Sequence, residues 1–181
     1  MIALEKHPVK ILHLNVRTEQ HGDEERTAVD IKLGFDVPNT YLESLGPGLR
    51  ESLYEINRQA DPSLLDEADH LTHVRYPQLG KQKWAGGWEA VGLHLHLGNG
   101  RGKGDLQFGD TKLDKFLFEP KEGGTCACEA RAVVLPTPDE TAKLVGLLKR
   151  QVPATINMDD AVMAEPSKRG KKSSDEDENN E

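Results

Sequence analysis

The chain has 181 residues, with 23 lysines and arginines against 31 aspartates and glutamates and a formal net charge of −8. That length suits one domain with a tail, and at 36% hydrophobic and 30% charged residues the net charge is too small to keep the whole chain unfolded. No apolar run approaches the ~18 residues of a membrane helix and the first eight residues lack an uninterrupted apolar stretch, so a cytoplasmic protein is expected, while two cysteines only two positions apart cannot staple a domain.

Strand signals dominate the chain. Leu12, Leu14 and Val16 alternate with His13, Asn15 and Arg17, and Val29, Ile31, Leu33, Phe35 and Val37 alternate with Asp30, Lys32, Gly34 and Asp36. Both runs have the period of a half-buried strand, and the polar stretch 19–25 between them predicts a hairpin turn. Pro38 ends the second strand. Thr40 stands three residues before Glu43, the spacing of a capping box, and after Gly46-Pro47-Gly48 the residues Leu49, Leu53 and Ile56 keep helical spacing.

Further on, Val91, Leu93, Leu95 and Leu97 alternate with Gly92, His94 and His96, and a glycine-rich stretch 98–104 leads to a short strand at 105–108. Residues 112–119 and 125–135 predict a second hairpin closed by Pro136. Thr137, Pro138 and Glu140 then predict a capped helix with Leu144, Val145, Leu147 and Leu148 turned inward, and Val152 to Ile156 predicts a closing strand. The order of strand, hairpin, strand, proline and helix occurs near 9–57 and again near 112–150. The expected fold is α+β, predominantly antiparallel, with about seven or eight strands as a sandwich or partly open barrel and two or three short helices. Residues 1–157 are expected to form this one domain and 158–181 a disordered charged tail.

Charge is divided unevenly. Residues 1–70 carry 7 basic and 14 acidic side chains, residues 71–121 carry 8 basic and 5 acidic, and residues 122–166 carry 4 basic and 7 acidic. Only the middle segment would attract phosphate. The tail is basic at 167–172 and acidic at Asp175, Glu176, Asp177, Glu178 and Glu181, with nothing apolar to bury in either block, which suits a solubilising end or an interaction tail.

Several kinds of chemistry can be weighed on these residues. His94 and His96, and Cys126 and Cys128, are pairs of zinc-ligating types, but strand phase turns the histidines away from the core and the cysteines into it, so no shared metal site is expected. The loop 98–104 has the wrong spacing for a nucleotide loop and leads into a strand instead of a helix. No nucleophile stands beside an activating base, and a non-catalytic protein without a cofactor is expected.

Residues 75–103 carry a different combination. Arg75, Tyr76, Lys81, Lys83, Trp84, Trp88, Arg101 and Lys103 stand among glycines, and both tryptophans of the chain fall in Trp84-Ala85-Gly86-Gly87-Trp88. Cations that follow a backbone, with aromatic faces for unpaired bases, make a single-strand binding surface. The competing reading is that one or both tryptophans cover the end of the sheet.

The run Asn15-Val16-Arg17-Thr18-Glu19-Gln20-His21-Gly22-Asp23-Glu24, followed by Pro47-Gly48-Leu49, resembles small uncharacterised proteins of tailed bacteriophages and prophages encoded near recombination and replication genes. The layout of a β-rich body with an acidic end is similar to that of single-stranded DNA-binding proteins, whose acidic tails bind partner enzymes. The resemblance implies non-catalytic binding of single-stranded DNA in the host cytoplasm, with Asp175, Glu176, Asp177 and Glu178 contacting a recombination or replication protein. Such tails usually finish in an aromatic residue, and this one finishes Asn179-Asn180-Glu181. The alternative is an acidic interaction protein that inhibits or recruits a host or phage protein through residues 1–70.

Overall fold

The alternation of Val29, Ile31, Leu33, Phe35 and Val37 carries through into the structure: all five are buried on strand β2 (Glu24–Pro38), while Lys32 and Asp36 between them face solvent. A computed structural model of the chain describes residues 3–21, 24–56, 71–98 and 104–164. Strand β1 (Leu4–His21) pairs with β2 from Lys10↔Gly34 out to His21↔Glu24, so the polar residues at 19–21 and 24–25 belong to a long hairpin and not to its turn. A bulge between Ile11 and His13 shifts the register. Leu12 therefore lies on the outer face over Gly34, where a Cβ would come within 2.8 Å of Leu12 Cδ1. Beyond the bulge Leu14 still packs against the core, but Val16, expected inward, is 52% exposed.

Pro38 ends β2 as expected, but Thr40 forms no capping box. The chain passes through a 3-10 turn (Asn39–Tyr41) directly into α1 (Leu42–Leu45), so Tyr41 is already helical and no extended cap residue exists. Asn39 holds this entry instead: it is buried, donates from Nδ2 to Leu71 O and accepts from Arg50 Nε at 3.0 Å. After Gly48, whose φ of 76° suits glycine, α2 (Leu49–Leu53) leads into the small β3 (Tyr54–Ile56) and β4 (Leu71–Val74) pair.

The remaining strands are β5 (Gln82–Lys83), β6 (Gly87–Leu95), β7 (Leu106–Lys121), β8 (Thr125–Val134), β9 (Gln151–Asn157) and β10 (Val162–Ala164). The two strands expected at 105–108 and 112–119 are one long strand. The sheet also takes in residues beyond 157, through buried Met158 and the pairing of β10 with β6. The sheet order is β10-β6-β9-β1-β2-β8-β7-β5, and β6 pairs with β7 as well, so the sheet comes partly round on itself without becoming a regular barrel. Its inner face is filled from every side by residues such as Ile11, Leu33, Leu95, Leu106, Phe116, Ala132 and Ile156. The fold is thus α+β and mainly antiparallel, with three short α-helices among the described residues. No helix among the described residues is long and apolar enough to cross a membrane.

Helix α3 (Pro138–Gly146) has the expected capping box between Thr137 and Glu140. Only Leu144 and Leu147 reach the core, whereas Val145 and Leu148 are 56% and 42% exposed, contrary to expectation. The helix ends at Gly146, and Lys149, at φ 66°, turns the chain so that Lys149 N and Ile11 N exchange backbone bonds with Ile11 O and Arg150 O. That docking leaves only one narrow stripe of the helix against the sheet.

Tyr54 ties the β3–β4 pair to the far end of the sheet. Its ring is fully buried, its hydroxyl donates to Thr125 O at 2.6 Å and accepts from Lys121 N at 3.1 Å, and burial pushes its pKa up to about 12. Tyr54→Phe should therefore cost about 1–3 kcal/mol in urea unfolding, because it removes both hydrogen bonds made by a buried hydroxyl. Tyr76→Phe, at a side chain 52% exposed, should stay within about 0.5 kcal/mol of the parent.

Candidate nucleic-acid interface

The inner face is apolar, so charged side chains gather on the outer face of β1, β2, β8 and β7. At the centre stands Arg131 of β8. It donates to both carboxylate oxygens of Asp114 at 2.6 and 2.5 Å, and it lies 3.3 Å from Asp30, which also takes Arg17 at 3.0 Å. These four residues, with Glu19 paired to Arg17, form a half-buried network that fixes the surface.

A second bulge shapes this face. Along β7 the register steps from Asp114↔Arg131 to Leu117↔Glu129, and Lys115 adopts φ 50°. Leu113 and Phe116 on either side are buried, so Asp114 and Lys115 both point outward where regular alternation would permit one. The strained backbone at Lys115 aims a lysine into the groove beside Trp84.

Four of the grooves on the described residues differ in charge. One of about 380 Å³ is lined by Lys10, Lys81 and Lys121 against Asp36, Glu119 and Glu129, and one of about 440 Å³ by Arg17, Lys112 and Arg131 against Glu19, Glu89 and Asp110. Both are balanced. The other two, of about 350 and 300 Å³, share Lys115 and Arg131; together they present Lys32, Lys83, Lys112, Lys115 and Arg131 against Asp30 and Asp114. Trp84 lies in the wall of the first. Lys32 is paired with Glu129 and Lys112 with Glu89, but Lys83 and Lys115 have no ion-pair partner among the described residues.

The expected site residues divide accordingly. Lys83 and Trp84 stand together in the cationic groove. The indole of Trp84 is half-buried against the core, with Gly86 kept bare beside it: a Cβ there would meet Trp84 Nε1 at 3.0 Å. Trp88 is corrected: only 5% exposed, it packs edge-on against Phe116 at 6.4 Å and cannot stack on a base. It starts β6 inside the sheet, which is the sheet-covering role. Lys81 lies in the balanced groove, bound to Glu129 at 2.6 Å. Arg75 and Tyr76 are exposed just after β4, with Arg75 bonded to Glu51 O, and they line neither cationic groove. Arg101, Lys103 and the acidic residues Asp175 to Glu178 lie outside the described residues.

Sequence reasoning missed Lys32, Lys112, Lys115 and Arg131 as site residues. One signal was present for Lys115: the apolar phase on β7 changes from Leu113 to Phe116 and Phe118, which marks a bulge. The histidine and cysteine pairs remain apart, as strand phase implied. Cys126 and Cys128 are buried free thiols, and Cys128 is pushed up by its neighbour Cys126 and by burial, so it stays protonated. His94 and His96 instead gather Asp105.

Glu129 offers a test of the surface network. Hydrogen bonding from Lys32 and Lys81 holds its carboxyl below the ordinary glutamate range. A depressed native pKa contributes stability that is complete above the unfolded value and disappears as pH falls through the native one. Glu129→Gln should thus be less stable than the parent at neutral pH, and the gap should close in acid, when urea unfolding is compared at the two pH values.

The chain matches no family model, no curated protein and no solved structure. What this surface can do follows from its geometry and charge alone.

Proposed function

We propose that the protein binds single-stranded DNA without acting on it chemically, in the setting of phage recombination or replication. One observation carries this reading. In an acidic chain where two other grooves of the described residues are balanced in charge, two adjoining grooves that share Lys115 and Arg131 have an excess of cations, and a half-buried tryptophan stands in the wall of one beside two lysines with no ion-pair partner among the described residues. Single strands need these two features together: cations spaced along a track for phosphates, and a π-face for an unstacked base. Roles within the groove differ. Lys83 and Lys115 exchange counterions for phosphate, whereas Arg131 and Lys112 are held by carboxylates and mainly shape the floor.

Oligonucleotide titration tests this directly. Trp84→Ala should weaken binding of a fluorescent single strand by about 1–3 kcal/mol, the worth of one stacked base. Trp88→Phe, which changes only a core residue, should retain both the affinity and the fluorescence quench. Affinity should fall with salt at a log–log slope of about −1.4 or steeper, the value for two phosphates neutralised on a single strand, and Lys83→Glu with Lys115→Glu should flatten that slope. A parent protein that binds no oligonucleotide at low salt would exclude this function and favour the acidic interaction protein.

A further inference from the structure

We infer that His94, His96 and Asp105 form a binding site for a divalent transition ion of the zinc class, with three protein donors and a fourth position left for solvent. Leu93 and Leu95 are buried, so His94 lies on the outer face of β6, and His96, one residue past its end, keeps the same phase. The two rings lie with centroids 3.8 Å apart. Pairing of His94 with Gln107 and Leu95 with Leu106 brings Asp105, just before β7, alongside them.

The carboxylate is aimed at the rings. Asp105 Oδ1 accepts the backbone N–H groups of Leu97 at 2.8 Å and Gly98 at 3.0 Å, which leaves Oδ2 facing both histidines. Oδ2 lies 2.8 Å from His94 Nε2 and 3.6 Å from His96 Nδ1, and the three donor groups lie within 4.8 Å of one another. Zinc bonds of about 2.0–2.2 Å in a tetrahedron hold donors roughly 3.3–3.5 Å apart. The two distances to Oδ2 lie within about 0.7 Å of that span, and the two ring nitrogens lie no more than 4.8 Å apart.

The surroundings complete the site. His96 Nε2 lies 2.8 Å from Thr155 Oγ1, which also accepts Lys6 N at 3.1 Å. With Nε2–H donating to Thr155, the lone pair of Nδ1 is turned to the site, as outer hydrogen bonds orient ligating histidines elsewhere. A simple ion pair would use His94 and Asp105 alone. It gives no reason for a second imidazole turned to the same oxygen, beside a ring with which it cannot comfortably share positive charge. The side chains are 28%, 18% and 9% exposed, open enough for an ion to enter and closed enough to hold it. Because the ligands flank the connection from β6 to β7, the ion would fasten both ends of that connection. This site is independent of the nucleic-acid groove, and neither proposal stands or falls with the other.

The full chain without a histidine tag should be titrated with zinc against a chromophoric chelator, and with cobalt for its visible ligand-field bands. One ion per chain is expected, with tetrahedral cobalt bands. His94→Gln, His96→Gln and Asp105→Asn should each weaken binding more than tenfold, and Thr155→Val by about ten- to a hundredfold. His73→Gln, which removes another histidine beside a carboxylate, should leave it unchanged. In the unaltered protein, nitrogen chemical shifts should move at His94 Nε2 and His96 Nδ1 on adding zinc, a readout that does not depend on any variant folding. No saturable binding at micromolar zinc, or shifts confined to other histidines, would overturn the site.

Discussion

Strand β6 is paired along both edges over the same residues: Leu93 and Leu95 face Ile156 and Ala154 of β9 on one side, and Phe108 and Leu106 of β7 on the other. That double pairing draws the ends of the sheet together and commits one face of every long strand to the interior. An alternating strand can put only one of its faces inside. Once Leu, Ile, Val, Phe and small residues fill that interior, polar chemistry has only the outside to occupy. The placement of the cationic groove and of the histidine pair both follow from this constraint.

Regular alternation would give the outer face an even scatter of side chains. Bulges break the evenness. The bulge in β1 sets Leu12 over Gly34, and the bulge in β7 turns Asp114 and Lys115 outward together, Asp114 to hold Arg131 and Lys115 toward the groove beside Trp84. The surface thus has two kinds of charge. Arg17, Asp30, Arg131 and Asp114 are half-buried and bonded to each other, so they are expensive to disturb and hold the face in shape. Lys83 and Lys115 are exposed and have no ion-pair partner among the described residues, the condition a cation needs to gain from meeting phosphate.

Much of the fold was legible because period-two burial is a local property. Val29 to Val37, the second hairpin, the strand at 152–156 and the Thr137–Glu140 cap all followed from spacing and turn chemistry. What was not legible depends on partners distant in sequence. Thr40 lost its cap because Asn39 is held by Leu71 and Arg50, and Trp88 left the surface because β7 brings Phe116 against it. Half of the tryptophan pair was therefore placed wrongly for a stacking platform. The groove itself was only partly visible, since Lys83 and Trp84 lie within one run whereas Lys32, Lys115 and Arg131 arrive from three other strands. Asp105 was hidden as a companion of His94 and His96 for the same reason: strand pairing, not sequence spacing, brings it across.

A single strand is proposed to lie along the outer face beside Trp84. The most direct measurement is a map of backbone amide shifts as a short single-stranded oligonucleotide is added at low salt. Shifts should concentrate at 83–86, 112–115 and 130–132, together with the Trp84 indole N–H, while the Trp88 indole and the balanced groove around Lys10 and Lys121 stay still. Shifts centred on the β1–β2 hairpin or on the balanced groove, or no shifts at all, would contradict it.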